Sequence, residues 1–147
     1  MSAYTTIVVG TDGSESSLKA VERAGALAGD AASLVIACAY FPNDKGAGGA
    51  ADVLKDEAYQ VTGSTPTEEI LRSAKERATK AGAANIDQRS IKGAPVDALL
   101  QLVTDTKADL LVVGNKGLNS IAGRLLGSVP ADVARKSACD VLIVHTT

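Results

Sequence analysis

Four short runs of the chain carry almost nothing but aliphatic residues: Ile7-Val8-Val9, Leu34-Val35-Ile36, Leu110 to Val113 and Val141 to Val144. Runs of this length without polar alternation are the pattern of strands buried on both faces. Segments with helical spacing separate them. Ser14 is a good N-cap, Leu18, Val21, Ala24, Leu27 and Ala28 mark one helical face, and Gly29-Asp30 ends it. A second helix opens at Thr65-Pro66-Thr67-Glu68, with Thr65 as cap, Pro66 at the first helical position and Glu68 closing a capping box. Its stripe is Ile70, Leu71, Ala74, Ala78 and Ala81, and Gly82 ends it. Val96, Leu99, Leu100 and Val103 mark a third helix, and a fourth runs from about Ser128 to Lys136. The alternating run Ile86 to Ile91 reads as a weaker strand nearer an edge.

The order β-α-β-α-β-α-β-α-β predicts an α/β fold: a doubly wound, five-stranded parallel sheet with helices on both faces, Rossmann-like. The expected strand order is 3-2-1-4-5. In such a sheet, ligands bind beyond the carboxyl ends of the strands where the winding reverses. The loops after the first and fourth strands are neighbours there. Between Phe41 and Gly63, the Gly-rich Asn43 to Gly49 reads as a mobile loop and Ala50 to Tyr59 as a short helix. No repeat or linker divides the chain, so residues 1–147 are expected to form one domain.

Composition narrows the function classes. Aromatics make up 3% of the chain and Trp is absent, which leaves no stacking platform for single-stranded nucleic acid. A net charge of -2 gives no general attraction to nucleic acid or to an anionic membrane. No apolar run is long enough to span a bilayer, and the start of the chain lacks the pattern of a signal peptide. Cys38 and Cys139 stand far apart, beside or within apolar runs, which fits free buried thiols in a cytoplasmic protein.

The loop after the fourth strand carries the most unusual residues. Gly114-Asn115-Lys116-Gly117 is followed, after nine residues, by Gly127-Ser128. Glycines at a strand end let the backbone approach a ligand, and a helix start offers free N–H groups to an anion. The pattern is that of a phosphate cradle, with Lys116 and Arg124 as cations. It is neither the Walker A loop nor G-x-G-x-x-G. Gly10-Thr11-Asp12 ends the first strand, where Asp12 is suited to ribose hydroxyls and equally to making a turn or capping the helix. Ala39 closes the second strand and leaves room for a flat base. Gly93-Ala94-Pro95 makes a tight turn at a further strand end.

The chain is similar to the universal stress protein family, in its adenine-nucleotide-binding type. Gly114, Gly117, Gly127 and Ser128 match the family pattern G-x2-G-x9-G-[ST] at every position. The likeness extends to Ile7 through Ser14 and to Asp140 through Val144. Within the family it most resembles small single-domain mycobacterial members, a group associated with cyclic AMP as well as ATP. The resemblance implies that Asp12 holds the ribose and that the backbone of Ala39 meets the adenine edge. It implies that Gly114, Gly117, Gly127, Ser128 and Val129 surround the phosphates, with Mg2+ possible alongside ATP. It also implies a homodimer built through the last strand, at Val141, Leu142, Ile143 and Val144. An apolar edge strand needs such a cover. The chain departs from the family at Asn115-Lys116, where His or Arg is frequent.

No catalytic residue is assigned. His145, the only histidine, is far in sequence from every site residue, and no acidic pair stands beside Asp12 to hold a metal. Three readings stay open at this point. The leading one is a binding module for cyclic AMP or ATP, with cyclic AMP favoured because the Gly127-Ser128 turn alone could satisfy one charge. The others are a slow ATP hydrolase or autophosphorylating protein using Ser128 or Ser14, and a dimeric interaction protein with a vestigial pocket.

Overall fold

In the computed structural model, which describes residues 4–40, 64–115 and 128–146, strands and helices alternate along the chain. They are β1 (Thr6–Gly10), α1 (Glu15–Ala28), β2 (Ser33–Tyr40), α2 (Ser64–Ala81), β3 (Asn85–Lys92), α3 (Pro95–Thr106), β4 (Leu110–Gly114), α4 (Ser128–Lys136) and β5 (Asp140–Val144). All pairings are parallel and the sheet order is β3-β2-β1-β4-β5. The expected topology therefore holds, and β1 and β4 lie side by side where the winding reverses. The expected helix at Ala50 to Tyr59 and the loop at Asn43 to Gly49 fall outside the described residues.

The apolar runs behave as their composition requires. Ile7, Val9, Leu34, Ile36, Leu110 and Val112 face α1 and α2, where Val21, Ala24, Leu71, Ala74 and Ala78 close over them. Val8, Val35, Ala37, Leu111 and Val113 face the opposite side, against Leu99, Leu102 and Val103 of α3 and Val133 of α4. Alternate residues of one strand thus enter two cores, so strict polar alternation is absent. At β3, an edge strand, only Ile86 and Ile91 pack inward, and the rest of the strand is exposed.

Several local expectations are corrected. In α1 the buried face is Ser17, Ala20, Val21, Ala24, Gly25 and Ala28, and Leu27 is 40% exposed. Small residues decide this face because α2 crosses close: a Cβ on Gly25 would lie 2.8 Å from the carbonyl oxygen of Ala78. Helix α2 already includes Ser64, so Thr65 lies inside it rather than capping it. In α3 the inward residues are Ala98, Leu99, Leu102 and Val103, with Val96 and Leu100 only partly covered. β2 runs one residue past Ala39, to Tyr40. Cys38 is buried, as expected, but Cys139 is only half-buried.

At the amino edge of the sheet, Asp109 pins β1 to β4. Its carboxylate accepts the N–H groups of Thr5 and Thr6, at 2.9 and 3.0 Å, and the Thr5 hydroxyl at 3.0 Å. The partial burial of Asp109 pushes its pKa up, but these hydrogen bonds outweigh that and hold it below the usual carboxylate range.

Candidate functional site

The carboxyl edge of the sheet is arranged around the β1–α1 loop. Gly10 pairs with Ala37 in register, and the Thr11 N–H donates to the Ala37 carbonyl at 2.9 Å. Thr11 is almost fully buried. Its hydroxyl lies 2.8 Å from Ser17 Oγ and accepts the Gly13 N–H at 3.1 Å. Ser17 Oγ donates to the Ser14 carbonyl at 2.9 Å, so Thr11 must be the donor of their shared bond. Ser14 caps α1 by accepting the Ser17 N–H at 3.2 Å. The Thr11, Ser14 and Ser17 hydroxyls are all engaged within the loop. Thr11 shapes it from within rather than offering a hydroxyl outward. Ser17, which sequence reading passed over, holds the loop together; its spacing three residues after the cap was the available signal.

Asp12 stands at the rim of this loop, half-buried. One carboxylate oxygen accepts the Ser14 N–H at 2.9 Å, the Asx-turn that sequence left as an alternative. The second oxygen has no partner among the described residues, so making the turn leaves one acceptor available. Gly13 has φ +88 and a Cβ there would meet Ile70 of α2 at 3.0 Å, so only glycine fits. The loop is therefore held from below by α2.

Ala39 lies two residues beyond the β2 position that pairs with Gly10. In a parallel ladder the N–H and C=O of one residue point to the same neighbour. Tyr40 turns toward β3, where its carbonyl accepts the Gly93 N–H at 2.8 Å. Ala39 therefore turns toward β1, which has already ended. On that side its backbone donor and acceptor face the space past the end of β1, and among the described residues the carbonyl has a long Cys38 Sγ contact of 3.9 Å. Burial, and secondarily the charge of Asp12, push the Cys38 thiol up to about 12, so it is an inert neutral group at physiological pH. Gly93 has φ +125 and opens α3, with Pro95 in the first turn. Its place is the outer end of the rim, beside Tyr40.

Gly114 ends β4 and is buried against the start of α1. A Cβ there would lie 3.1 Å from Ser16 Oγ and 3.3 Å from the Ser16 carbonyl oxygen. The close approach brings the end of β4 onto the first turn of α1, as the strand order requires. Asn115 follows, and its N–H donates to the Val144 carbonyl at 2.8 Å. Its side chain accepts from the N–H and the hydroxyl of Thr146 at 2.8 and 2.9 Å. The segment after β5, His145 included, is thus near the site in space although far in sequence. Helix α4 begins at Ser128, which puts its free N–H groups at the end of the glycine loop. Lys116, Gly117, Arg124 and Gly127 lie outside the described residues, as do the side chains of Ser128 and Val129.

The described residues hold no group of three His, Cys, Asp or Glu placed for a metal ion. No helix among the described residues is long and apolar enough to cross a membrane. The edge strand β5 exposes Ile143 and half-buries Val141 and Leu142, whereas Val144 belongs to the chain's own core.

Comparison with known proteins agrees with this architecture. The model of the universal stress protein family matches residues 3–145. The universal stress protein Rv1636 of Mycobacterium tuberculosis is 64% identical over 147 residues, the full length of both chains. A crystal structure of a universal stress protein in complex with cAMP superposes with a TM-score of 0.77 at 55% identity, covering 99% of this chain and 100% of the other. The universal stress protein of Archaeoglobus fulgidus in complex with dAMP superposes at 0.65 over 95% of this chain and 97% of its own, and at 18% identity shares the fold.

Proposed function

The chain belongs to the universal stress protein family, and on that footing we propose that it binds an adenine nucleotide at the carboxyl edge of its sheet, between the loops after β1 and β4. The observation that carries this reading is the pairing of two open groups at the switch point. Asp12 keeps one carboxylate oxygen available for ribose hydroxyls, and Ala39 turns a backbone donor and acceptor toward the space where β1 has ended. A flat base with a donor and an acceptor on one edge suits the second, and a ribose hydroxyl suits the first. The phosphates fall to Gly114 at the end of β4, to Gly117 and Gly127, and to Ser128 and Val129 at the start of α4.

Cyclic AMP is favoured over ATP. A cyclic monophosphate carries one charge, which the helix start and the Ser128 hydroxyl can meet. ATP asks for more neutralisation than Lys116 and Arg124 supply. The relative crystallised with cAMP is consistent with this choice. The described residues hold no group of three side chains placed for a metal ion, and we read the site as one that holds a nucleotide rather than breaks one. The protein then acts as a regulatory or ligand-sequestering module, in the cytoplasm and as a homodimer through β5. Titration calorimetry with cyclic AMP, ATP and AMP tests the reading. Cyclic AMP should bind most tightly, and the absence of heat with all three defeats the proposal.

A further inference from the structure

The segment after β5 is fastened to the mouth of the site by an ordered run of hydrogen bonds. Thr146, 9% exposed, gives its N–H and its hydroxyl to the same side-chain oxygen of Asn115. A backbone N–H can only donate, so that atom is the amide oxygen and the orientation of the Asn115 side chain is fixed. The Thr146 hydroxyl spends its proton on Asn115, so Ser16 must donate across the 2.5 Å contact between Ser16 Oγ and Thr146 Oγ1. The direction of every proton follows: Ser16 to Thr146 to Asn115.

The three residues come from three places that meet only here. Ser16 lies in the first turn of α1, two residues after the cap that orders Asp12. Asn115 is the first residue of the loop after β4, and its own N–H is held by Val144 of β5. The absence of a side chain on Gly114 is what lets Ser16 sit between them. Without the Thr146 hydroxyl, the first turn of α1 and the mouth of the β4 loop share no side-chain hydrogen bond among the described residues.

We propose that Thr146 is a positioning residue for the nucleotide site, setting the separation of the first turn of α1 and the end of β4 through Ser16 and Asn115; this rests on the nucleotide-binding reading above. Thr146 touches no nucleotide. It fixes the two walls that do. Binding thereby depends on residues beyond the last strand, and what happens at β5 is felt at the site.

Two variants and two readouts test this in the full chain. Thr146→Val keeps the shape and the backbone N–H but removes the hydroxyl, and Thr146→Ser restores it. The first readout is amide hydrogen exchange at Ser16 and Asn115 without nucleotide. The second is calorimetric affinity for cyclic AMP. The valine variant should exchange faster at both positions and bind cyclic AMP about two- to tenfold more weakly, with the serine variant near wild type in each. Unchanged exchange in the valine variant overturns the latch itself, whether or not nucleotide binds. Faster exchange with wild-type affinity overturns the positioning role. Faster exchange in a protein whose wild type binds no nucleotide defeats the functional reading and the positioning role with it, while the altered exchange shows the hydrogen bonds to be real.

Discussion

Gly114 shows how one missing Cβ decides the geometry of a site. Its φ is unremarkable, so backbone freedom is not the reason for glycine there. The reason is Ser16, whose hydroxyl and carbonyl occupy the space a side chain would take. Neither can retreat easily, since the hydroxyl is held by Thr146 and the carbonyl is part of the α1 backbone. Gly114→Ala should therefore lower stability by about 1–3 kcal/mol, the usual range for overpacking, and weaken nucleotide binding as the two loops part. A thermal melt of the variant checks the first effect, and a melting temperature equal to wild type would mean the contact relaxes freely. Asp12 is the complementary case. One oxygen orders the loop and the other has no partner among the described residues, so turn formation is compatible with the ligand-holding role proposed for it.

Among the elements, the strands carry the most readable signals and the clearest tests. Asp109 joins the start of β4 to the residues leading into β1, with a carboxylate held below its usual pKa. A group whose folded pKa is depressed stabilises fully above its unfolded value, about 4. That stabilisation fades as the pH falls through the lower folded value. Asp109→Ala should thus cost about 1 kcal/mol near neutral pH, or about 2–4 °C in melting temperature. The gap between variant and wild type should narrow as the pH falls from about 4 into stronger acid. Melts at several pH values measure it, and a gap independent of pH would remove the carboxylate's charge from the explanation. At the other edge of the sheet, β5 leaves Ile143 41% exposed on a strand with β4 as its one neighbour among the described residues. The proposed homodimer through β5 would cover it, so Ile143→Lys should halve the mass seen by sedimentation. A wild-type chain that already sediments as a monomer would remove β5 from the account of assembly.

At the scale of the whole molecule, the alternation of apolar runs with amphipathic segments was enough to read the topology. Burial on two faces leaves no other pattern available to β1, β2 and β4. What the residues hid was local. Leu27 fits the helical period of α1 yet is exposed, because close packing on α2 selects Ala and Gly instead. At the candidate site, the places of Asp12, Ala39 and Gly114 at strand ends were legible. Ser17, Asn115 and Thr146 were not, since their roles arise from hydrogen bonds between distant segments that no spacing encodes. His145 was set aside as remote, and only the pairing of β4 with β5 reveals that its segment borders the site.

The central claim is that Asp12 and the two loops at the switch point hold an adenine nucleotide. Titration calorimetry of cyclic AMP into the wild type and into Asp12→Asn tests it most directly, since asparagine can still accept the Ser14 N–H while the charge is removed. The account predicts one site per chain in the wild type and an affinity about ten- to a hundredfold lower in the variant, the range for losing a hydrogen bond to a charged group. Equal affinities in the two proteins would place the nucleotide elsewhere and contradict the account.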